Sequence, residues 1–426
     1  MYSEVFLLAT AVVTALSVLA MRYGVVPAAA AIAAMALYLA VGQRAVLATM
    51  PYIGQVAVAL DVYKLPFVAV SIALGLLVTF YAPRYLEHMG AHRWYYLSHA
   101  LYVLSFVFII IFENLIFVFL ALELSIITSF LLIWYFGYGN RRAVGLLYFI
   151  WAQVGSILFL IGVAMSGRFD AAAFQTGGLA SLLVLLGLLI KMGTLGVHFW
   201  LPYAHAEAPT PLSALLSPVH VGLMAYWLWR LKEGAGWPPE ALYIYGLLTA
   251  IYGSILVFRE VDIKRALADS TIANMGLLVS AASLHGELGY WTTAILFTGH
   301  AFAKAAGFML SGIYIVHLHT RHLDQLRWNT QLLTSGILTF VALSGVFGLS
   351  LVGKALLAIG APHGVTAALV LIAALFSTAL YNFYLVNRIY KTGPAVVQLA
   401  SDMYIPTLLT AALPYVLLAA LPLLWH

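Results

Sequence analysis

The chain has 426 residues, of which 64% are apolar or aromatic and 8% are charged, and its mean hydropathy is +1.01. Soluble domains carry about 25% charged residues, so this composition excludes a water-soluble enzyme, a nucleic-acid binder and a disordered chain. The net charge of +5 is spread over loops and is no nucleic-acid footprint, and the lack of cysteine excludes disulfides, thiolate metal sites and iron–sulfur ligation in this chain.

What remains is an all-α polytopic membrane protein. The apolar runs are continuous rather than alternating, which argues against a transmembrane β-barrel. Read between charged and Gly/Pro punctuation, they predict fourteen spans: 5–20, 25–41, 65–81, 95–112, 114–136, 143–166, 180–199, 210–230, 241–258, 268–284, 290–316, 332–358, 365–387 and 404–424. No linker is polar enough to divide the chain, so residues 1–426 are expected to form one membrane domain. The N-terminus lacks a basic stretch followed by a small-residue cleavage site, so the first run is expected to stay in the protein. Tyrosines and tryptophans near span ends read as an interfacial belt.

Loop charges predict orientation. The odd-numbered loops hold Arg22, Arg84, Arg93, Arg141, Arg142, Arg259, Lys264, Arg265, Arg321, Arg327, Arg388 and Lys391. The even-numbered loops hold only Arg44, Lys64, Arg168, Arg230 and Lys232. The positive-inside rule then puts the odd loops in the cytoplasm and both termini outside, in a prokaryotic cell membrane.

Three lysines and one glutamate inside apolar runs are the informative charges: Glu123, Lys191, Lys304 and Lys354. A charge at the bilayer centre costs roughly 2.5–3.5 kcal/mol on insertion scales, so such residues face the interior and mark ion pathways by default. The bland alternative is snorkelling to the interface, which fits Lys354 better than the mid-span Lys191 or the short Glu123. Gly193 and Gly196 follow Lys191, then His198, Pro202 and His205; Gly345, Gly348 and Gly353 precede Lys354. Glycines of this kind mark either close packing or a broken helix whose freed carbonyls line a cavity. Two interruptions beside lysines predict two inverted five-helix repeats, helices 4–8 (about 95–230) and 9–13 (about 241–387), with helices 7 and 12 broken.

His300 and Lys304 are four apart and share a helix face. His220, in the span after Lys191, alone reads equally as a packing residue; beside buried lysines it reads as part of a proton relay, because imidazole exchanges protons near neutral pH. His317, His319 and His322 lie at a loop beside Arg321 without carboxylate support and read as interfacial rather than as a metal site. No phosphate-binding loop or nucleophile elbow occurs in a plausible setting.

The segment KMGTLGVHFWLPYAHAEAPTPLSALLSPVHVGLMAYWLWR, from Lys191 to Arg230, resembles the signature region of the antiporter-like proton-translocating membrane subunits. That family includes the pumping subunits of respiratory complex I, the membrane-bound hydrogenases and related reductases, and the multisubunit sodium/proton antiporters. FLALELSIITSFLLIWYFG resembles its fifth helix, VDIKRALADSTIANMG its DxKRxxAxSxIxxxG segment, and HAFAKAAGFMLSG its eleventh helix. Together these cover roughly residues 65–360.

The resemblance implies that Glu123 and Lys191 form a proton-handling pair, that His300 and Lys304 form the central relay, and that Lys354 is the exit-side lysine, with His198 and His205 in support. Asp262, Lys264 and Arg265 are implied to be structural or coupling residues. The sequence departs from the pattern at Thr128, where a proline is usual, and at Gly222, where many relatives carry lysine and for which His220 is a substitute; the proline pair before Lys354 is missing. The chain resembles the shorter subunits of the family, without a long C-terminal lateral helix. The resemblance further implies partners: other antiporter-like and small membrane subunits, a peripheral redox arm and lipids. No cofactor or redox centre is expected in this chain; flavin, iron–sulfur or nickel–iron centres and quinone are expected in partner subunits. Pump subunit, sodium/proton antiporter module and mere membrane anchor all remain open at this level, the buried lysines arguing against the last. Moving a charge near its counter-charge by a few ångströms changes their energy by about 2 kcal/mol at an effective dielectric of about 20, comparable to the ~2.3 kcal/mol that opposes one charge at 100 mV.

Overall fold

The computed structural model describes residues 44–87 and 93–424; the spans expected over 5–20 and 25–41 lie outside the described residues. An antiparallel hairpin comes first, β1 (Ala45–Met50) and β2 (Gly54–Val58). Then follow α1 (Leu65–Glu87), α2 (Arg93–Ile111), α3 (Leu115–Phe136), α4 (Arg141–Ser166), α5 (Gly178–Met192), α6 (Trp200–Glu207) and α7 (Thr210–Leu215). A π-helical turn (Leu216–His220) leads into α8 (Met224–Ala235), α9 (Pro239–Val257), α10 (Ile263–Ser283) and α11 (Gly286–Leu318). The chain continues through α12 (Thr330–Ser344), α13 (Leu349–Ile359), α14 (Val365–Lys391) and α15 (Ser401–Leu424).

Ten helical stretches among the described residues are long and apolar enough to cross a bilayer. They include Thr210–Ala235, which joins α7 and α8 through the π-turn, and Thr330–Ile359, which joins α12 and α13. The expected span 180–199 is instead a short apolar helix, α5, that stops at Met192 and resumes as α6 at Trp200. The break follows from Gly193, whose φ of +62° closes α5, and from Gly196 at φ +87°. The second break comes at Gly345 (φ +67°) and Gly348 (φ +93°), between α12 and α13.

The hairpin is a correction to a purely helical reading. Residues 45–58 pair about the turn at Pro51–Ile53, and the near-continuous apolar run AVLATM has no period-2 pattern to set it apart from its neighbours. Glu113 N donates to Ala57 O at 3.0 Å and Ala59 N to Ile111 O at 2.9 Å, so the strands cover the end of α2.

Close helix approach depends on glycine. A Cβ at Gly246, Gly253 or Gly276 would run into the facing backbone, which locks α9 against α10. Gly155, Gly162 and Gly187 do the same for α4 and α5. Held this way, α10 is buried along its whole length except at Arg265, although it carries Lys264 and Asp269.

The connecting segments gather at two ends. At one end Tyr138 N donates to Glu207 O (2.8 Å), Arg321 pairs with Asp262 (2.8 Å), and Arg388 donates to Glu260 O (2.8 Å) and to both carboxylate oxygens of Asp324 (2.8 Å each). The Arg388 guanidinium holds the Asp324 carboxyl below its usual range. At the other end Leu115 N donates to Phe169 O (2.7 Å), Thr176 N to Gly234 O (2.9 Å) and the Tyr63 hydroxyl to Glu287 (2.6 Å). The first end carries most of the loop arginines, and we call it the basic end. In a chain without cysteine, Asn140→Cys and Gln175→Cys, both on exposed residues, are single thiols at opposite ends. A membrane-impermeant maleimide should label each from one side only, and from different sides.

Candidate functional site

The buried charges read from the sequence are in the interior. Lys191 is 3% exposed, Lys304 0% and Lys354 6%, and none snorkels. Each ammonium ends on oxygen atoms that the local fold provides, since a buried donor without a partner loses its full hydration. Lys191 sits in the last turn of α5, where Nζ donates to Ser156 Oγ (2.7 Å) and Ala152 O (3.5 Å) of α4. Lys304, on α11, donates to Leu267 O at 3.2 Å and to Ser270 Oγ on α10. Lys354, on α13, reaches across the second break: Nζ donates to Ser344 O (2.5 Å), at the end of α12, and to Thr378 Oγ1 of α14 (2.9 Å). An ammonium at a helix C-terminus also meets the negative end of the helix dipole.

Glu123 lies on α3, half-buried, and accepts from Gln153 Nε2 at 2.6 Å; its Oε1 is buried without a protein partner. It makes no direct ion pair with Lys191 but stands within electrostatic reach of it. α4 is the mediator: Ala152, Gln153 and Ser156 lie within one turn, and that turn holds the carboxylate and the ammonium on neighbouring positions.

His220 closes the π-turn, a local widening that Pro218 favours because it lacks an N–H for the regular ladder. Its Nδ1 is 2.9 Å from the Tyr102 hydroxyl of α2. His205, on α6, is fully buried and stacks on Phe308 (centroids 5.0 Å apart), with neither ring nitrogen bonded to protein. It lies within electrostatic reach of His220, Lys264 and Lys304. Both nitrogens of His300 are likewise buried without a protein partner, one turn before Lys304. His198 is in the first break, half-buried, with Nε2 3.2 Å from the Tyr252 hydroxyl.

Asp262 caps α10 by accepting from Lys264 N (2.7 Å) and binds Arg321. Lys264 Nζ donates to Ala208 O, and Arg321 to Ala206 O (2.7 Å), so two cations hold the carbonyls between α6 and α7. Arg265 rests over the Tyr203 ring, 5.0 Å from its centroid. His317 is tied to Ala400 N (3.2 Å), and His319 and His322 line an open cleft with Asp262 and Arg321. Among the described residues no three His, Asp or Glu side chains converge as a metal site.

Several partners escape a motif-based reading. Gln153 and Ser156 were visible only as two polar residues in the apolar run of α4. Asp269, 3% exposed on α10, lies within electrostatic reach of Lys304 and is the second interior carboxylate. Three further lysines are buried: Lys64, Lys232 and Lys264. The loop assignment of all three is corrected here, because each packs at a helix end and donates to backbone carbonyls.

The family model described as NADH:quinone oxidoreductase/Mrp antiporter, TM matches residues 113–389. The chain belongs to that family. A NAD(P)H-quinone oxidoreductase chain 4 of Synechococcus sp. (strain JA-2-3B'a(2-13)) is 28% identical over 263 residues, which are 55% of this chain and 49% of the relative. An uncharacterised protein of Mycobacterium tuberculosis (strain H37Rv) is 34% identical over 210 residues, 43% of this chain and 33% of that one. This chain thus spans about half or less of the length of these two relatives. Among solved structures, the membrane-bound sulfane sulfur reductase, an archaeal respiratory membrane complex, has a chain that superposes with a TM-score of 0.84 at 19% identity, covering 98% of this chain and 93% of that chain. The Mrp complex from Dietzia sp. DQ12-45-1b has one with a TM-score of 0.83 at 22% identity, covering 96% and 50%. Both likenesses are of fold.

Within this antiporter-like family the departures in sequence now have physical readings. Thr128 donates to Leu124 O (2.7 Å) and Ser125 O (3.1 Å), and α3 runs unbroken through the position of the usual proline. A Cβ on Gly222 would stand 2.9 Å from the Phe297 ring, which leaves no room for a lysine there. Gly345 has to be glycine twice over: its φ is positive, and a Cβ would stand 2.6 Å from Lys354 Cε. Gly345→Ala is therefore expected to cost about 1–3 kcal/mol from the backbone alone and to displace the Lys354 ammonium. Thermal unfolding of the purified protein, against Gly336→Ala as a tolerated control, measures it.

Proposed function

We propose that this chain is a proton-translocating antiporter-like subunit of a complex I-type redox-driven ion pump, an NADH/quinone oxidoreductase or a related hydrogenase or reductase. The observation that carries this reading is the series Glu123, Lys191, His220, His300, Lys304 and Lys354: titratable groups, all buried but the half-buried Glu123, on α3, α5, the π-turn, α11 and α13, with Lys191 and Lys354 at the two helix breaks and His205 within reach of His220 and Lys304. Groups of this kind pass protons by gaining and losing them in turn, and ionisable residues inside a membrane bundle mark ion pathways by default. The chain has fourteen spans in this reading, with helices 4–8 and 9–13 as inverted repeats in one membrane domain, and the basic end faces the cytoplasm with both termini outside, in a prokaryotic cell membrane. Flavin, metal centres and quinone belong to partner subunits of a peripheral arm, and neighbouring antiporter-like and small membrane subunits and lipids surround the chain.

In this mechanism Glu123 favours a protonated Lys191. A charge change in a neighbouring subunit that draws Glu123 away, or neutralises it, weakens that hold. The Lys191 proton then moves through His220 and His205 toward Lys304 and leaves by Lys354. The family also contains sodium/proton antiporter subunits, and a module of that kind is the second reading. Lysine and imidazole suit protons, whereas sodium requires a cage of oxygens; transport that tracks sodium concentration at fixed pH favours the second reading.

Lys191→Met in the assembled complex tests the relay. Proton translocation is expected to fall by about a hundredfold while the complex still assembles, as measured by acidification in vesicles driven by the complex's own electron donor. Undiminished pumping at normal redox turnover removes the relay.

A further inference from the structure

Three residues on α2 play no part in the relay: Tyr95, His99 and Tyr102. They recur at i, i+4 and i+7, so they share one face of the helix, and all three are 0% exposed. The Tyr95 and His99 rings stack with centroids 5.9 Å apart and planes 15° off parallel. His99 Nε2 lies 2.9 Å from Thr79 Oγ1, and that hydroxyl donates to Gly75 O at 2.6 Å. Thr79 therefore accepts from His99, which fixes the Nε2–H tautomer and leaves Nδ1 as a free acceptor. That Nδ1 is buried without a protein partner, as is the Tyr95 hydroxyl. Tyr102 lies one turn deeper and joins His220 Nδ1.

The outer end of this face meets the basic end. The Tyr85 and Tyr138 hydroxyls bond each other there, Thr210 Oγ1 donates to Tyr85 at 3.1 Å, and Tyr138 is half-buried at the surface. Tyr95 is within electrostatic reach of Tyr85. Hydroxyl and imidazole groups thus stand at three levels of one helix face between the basic end and His220, with open polar atoms between them, and Glu123 and Lys191 are not among them.

We propose that Tyr95, His99 and Tyr102 form a second proton inlet that refills His220 from the basic end. The inference rests on the relay reading, since His220 is its destination. A proton received by His99 Nδ1 makes an imidazolium. That nitrogen bonds to no protein atom, so a water held there carries the proton on to the Tyr102 oxygen while the Tyr102 hydroxyl proton passes to His220 Nδ1. His99 and Tyr102 return to their starting forms, and one proton has moved inward. Polar atoms such as Tyr95 Oη and His99 Nδ1, left open in a packed interior, are where internal water is held in native proteins.

Tyr95→Phe is the decisive variant, because it removes one oxygen that bonds nothing in the protein. A purely structural tyrosine predicts equal or greater stability and unchanged transport. The inlet predicts equal stability and a several-fold slower initial rate of proton translocation by the assembled complex in vesicles. His99→Gln, which keeps a donor for Thr79 but cannot exchange protons, and Tyr102→Phe are expected to slow it in the same way. Unchanged rates in Tyr95→Phe and His99→Gln, beside a Lys191→Met complex that no longer pumps, overturn the inlet and leave the relay standing. A Lys191→Met complex that pumps normally overturns the relay instead.

Discussion

An ammonium group inside an apolar bundle has to find oxygen, and the architecture follows from that need. Nothing in the hydrocarbon core of a membrane replaces lost hydration. Each buried lysine here ends on a backbone carbonyl, a hydroxyl or both, and among the described residues only Lys64 comes within 4.0 Å of a carboxylate, at 3.9 Å from Glu113. Two of the carbonyls, Ala152 O and Leu267 O, lie inside continuous helices and take the ammonium beside their ladder bond, but others are free because helices stop. Ser344 O closes α12 at the second break, and Ala206 O and Ala208 O flank the gap between α6 and α7. Continuous helices would consume these acceptors in their own ladders.

The two interior carboxylates stand off from their lysines rather than gripping them. Glu123 is held by Gln153 and Lys191 by Ser156, on one turn of α4. Between α10 and α11 Lys304 is held by Ser270, and Asp269 is the adjacent residue of α10. A separated pair interacts less strongly than a contact ion pair, by a few kcal/mol at most at an effective dielectric of about 20. Such a pair leaves the lysine free to exchange its proton, whereas a tight buried pair is costly to break.

The sequence disclosed the charged residues and the places where helices break, because both violate local rules: charge within lipid-length runs, and glycine in helix interiors. It also disclosed the helical limits closely wherever punctuation was strong, as between Phe136 and Arg141. It concealed what depends on three dimensions. Lys232 and Lys264 resemble loop cations in the chain, yet they are buried because α10 runs through the middle of the fold. Tyr102 looks like one more interfacial aromatic until the π-turn brings His220 against it. The hairpin over 45–58 was hidden because its strands do not alternate and read as one more short apolar stretch. Gln153 and Ser156 gain meaning only once the Gly155–Gly187 contact presses α4 against α5.

The wedge of Phe297 against Gly222 also has a historical implication. A lysine on the eighth helix cannot be acquired here in a single step, since the aromatic ring and the Pro218 carbonyl already fill the space beside that α-carbon. A smaller residue at 297 would have to appear first, and until then nothing would reward it. The titratable group that this stretch of chain can hold without moving that ring is the imidazole two residues earlier, His220, already seated against Tyr102.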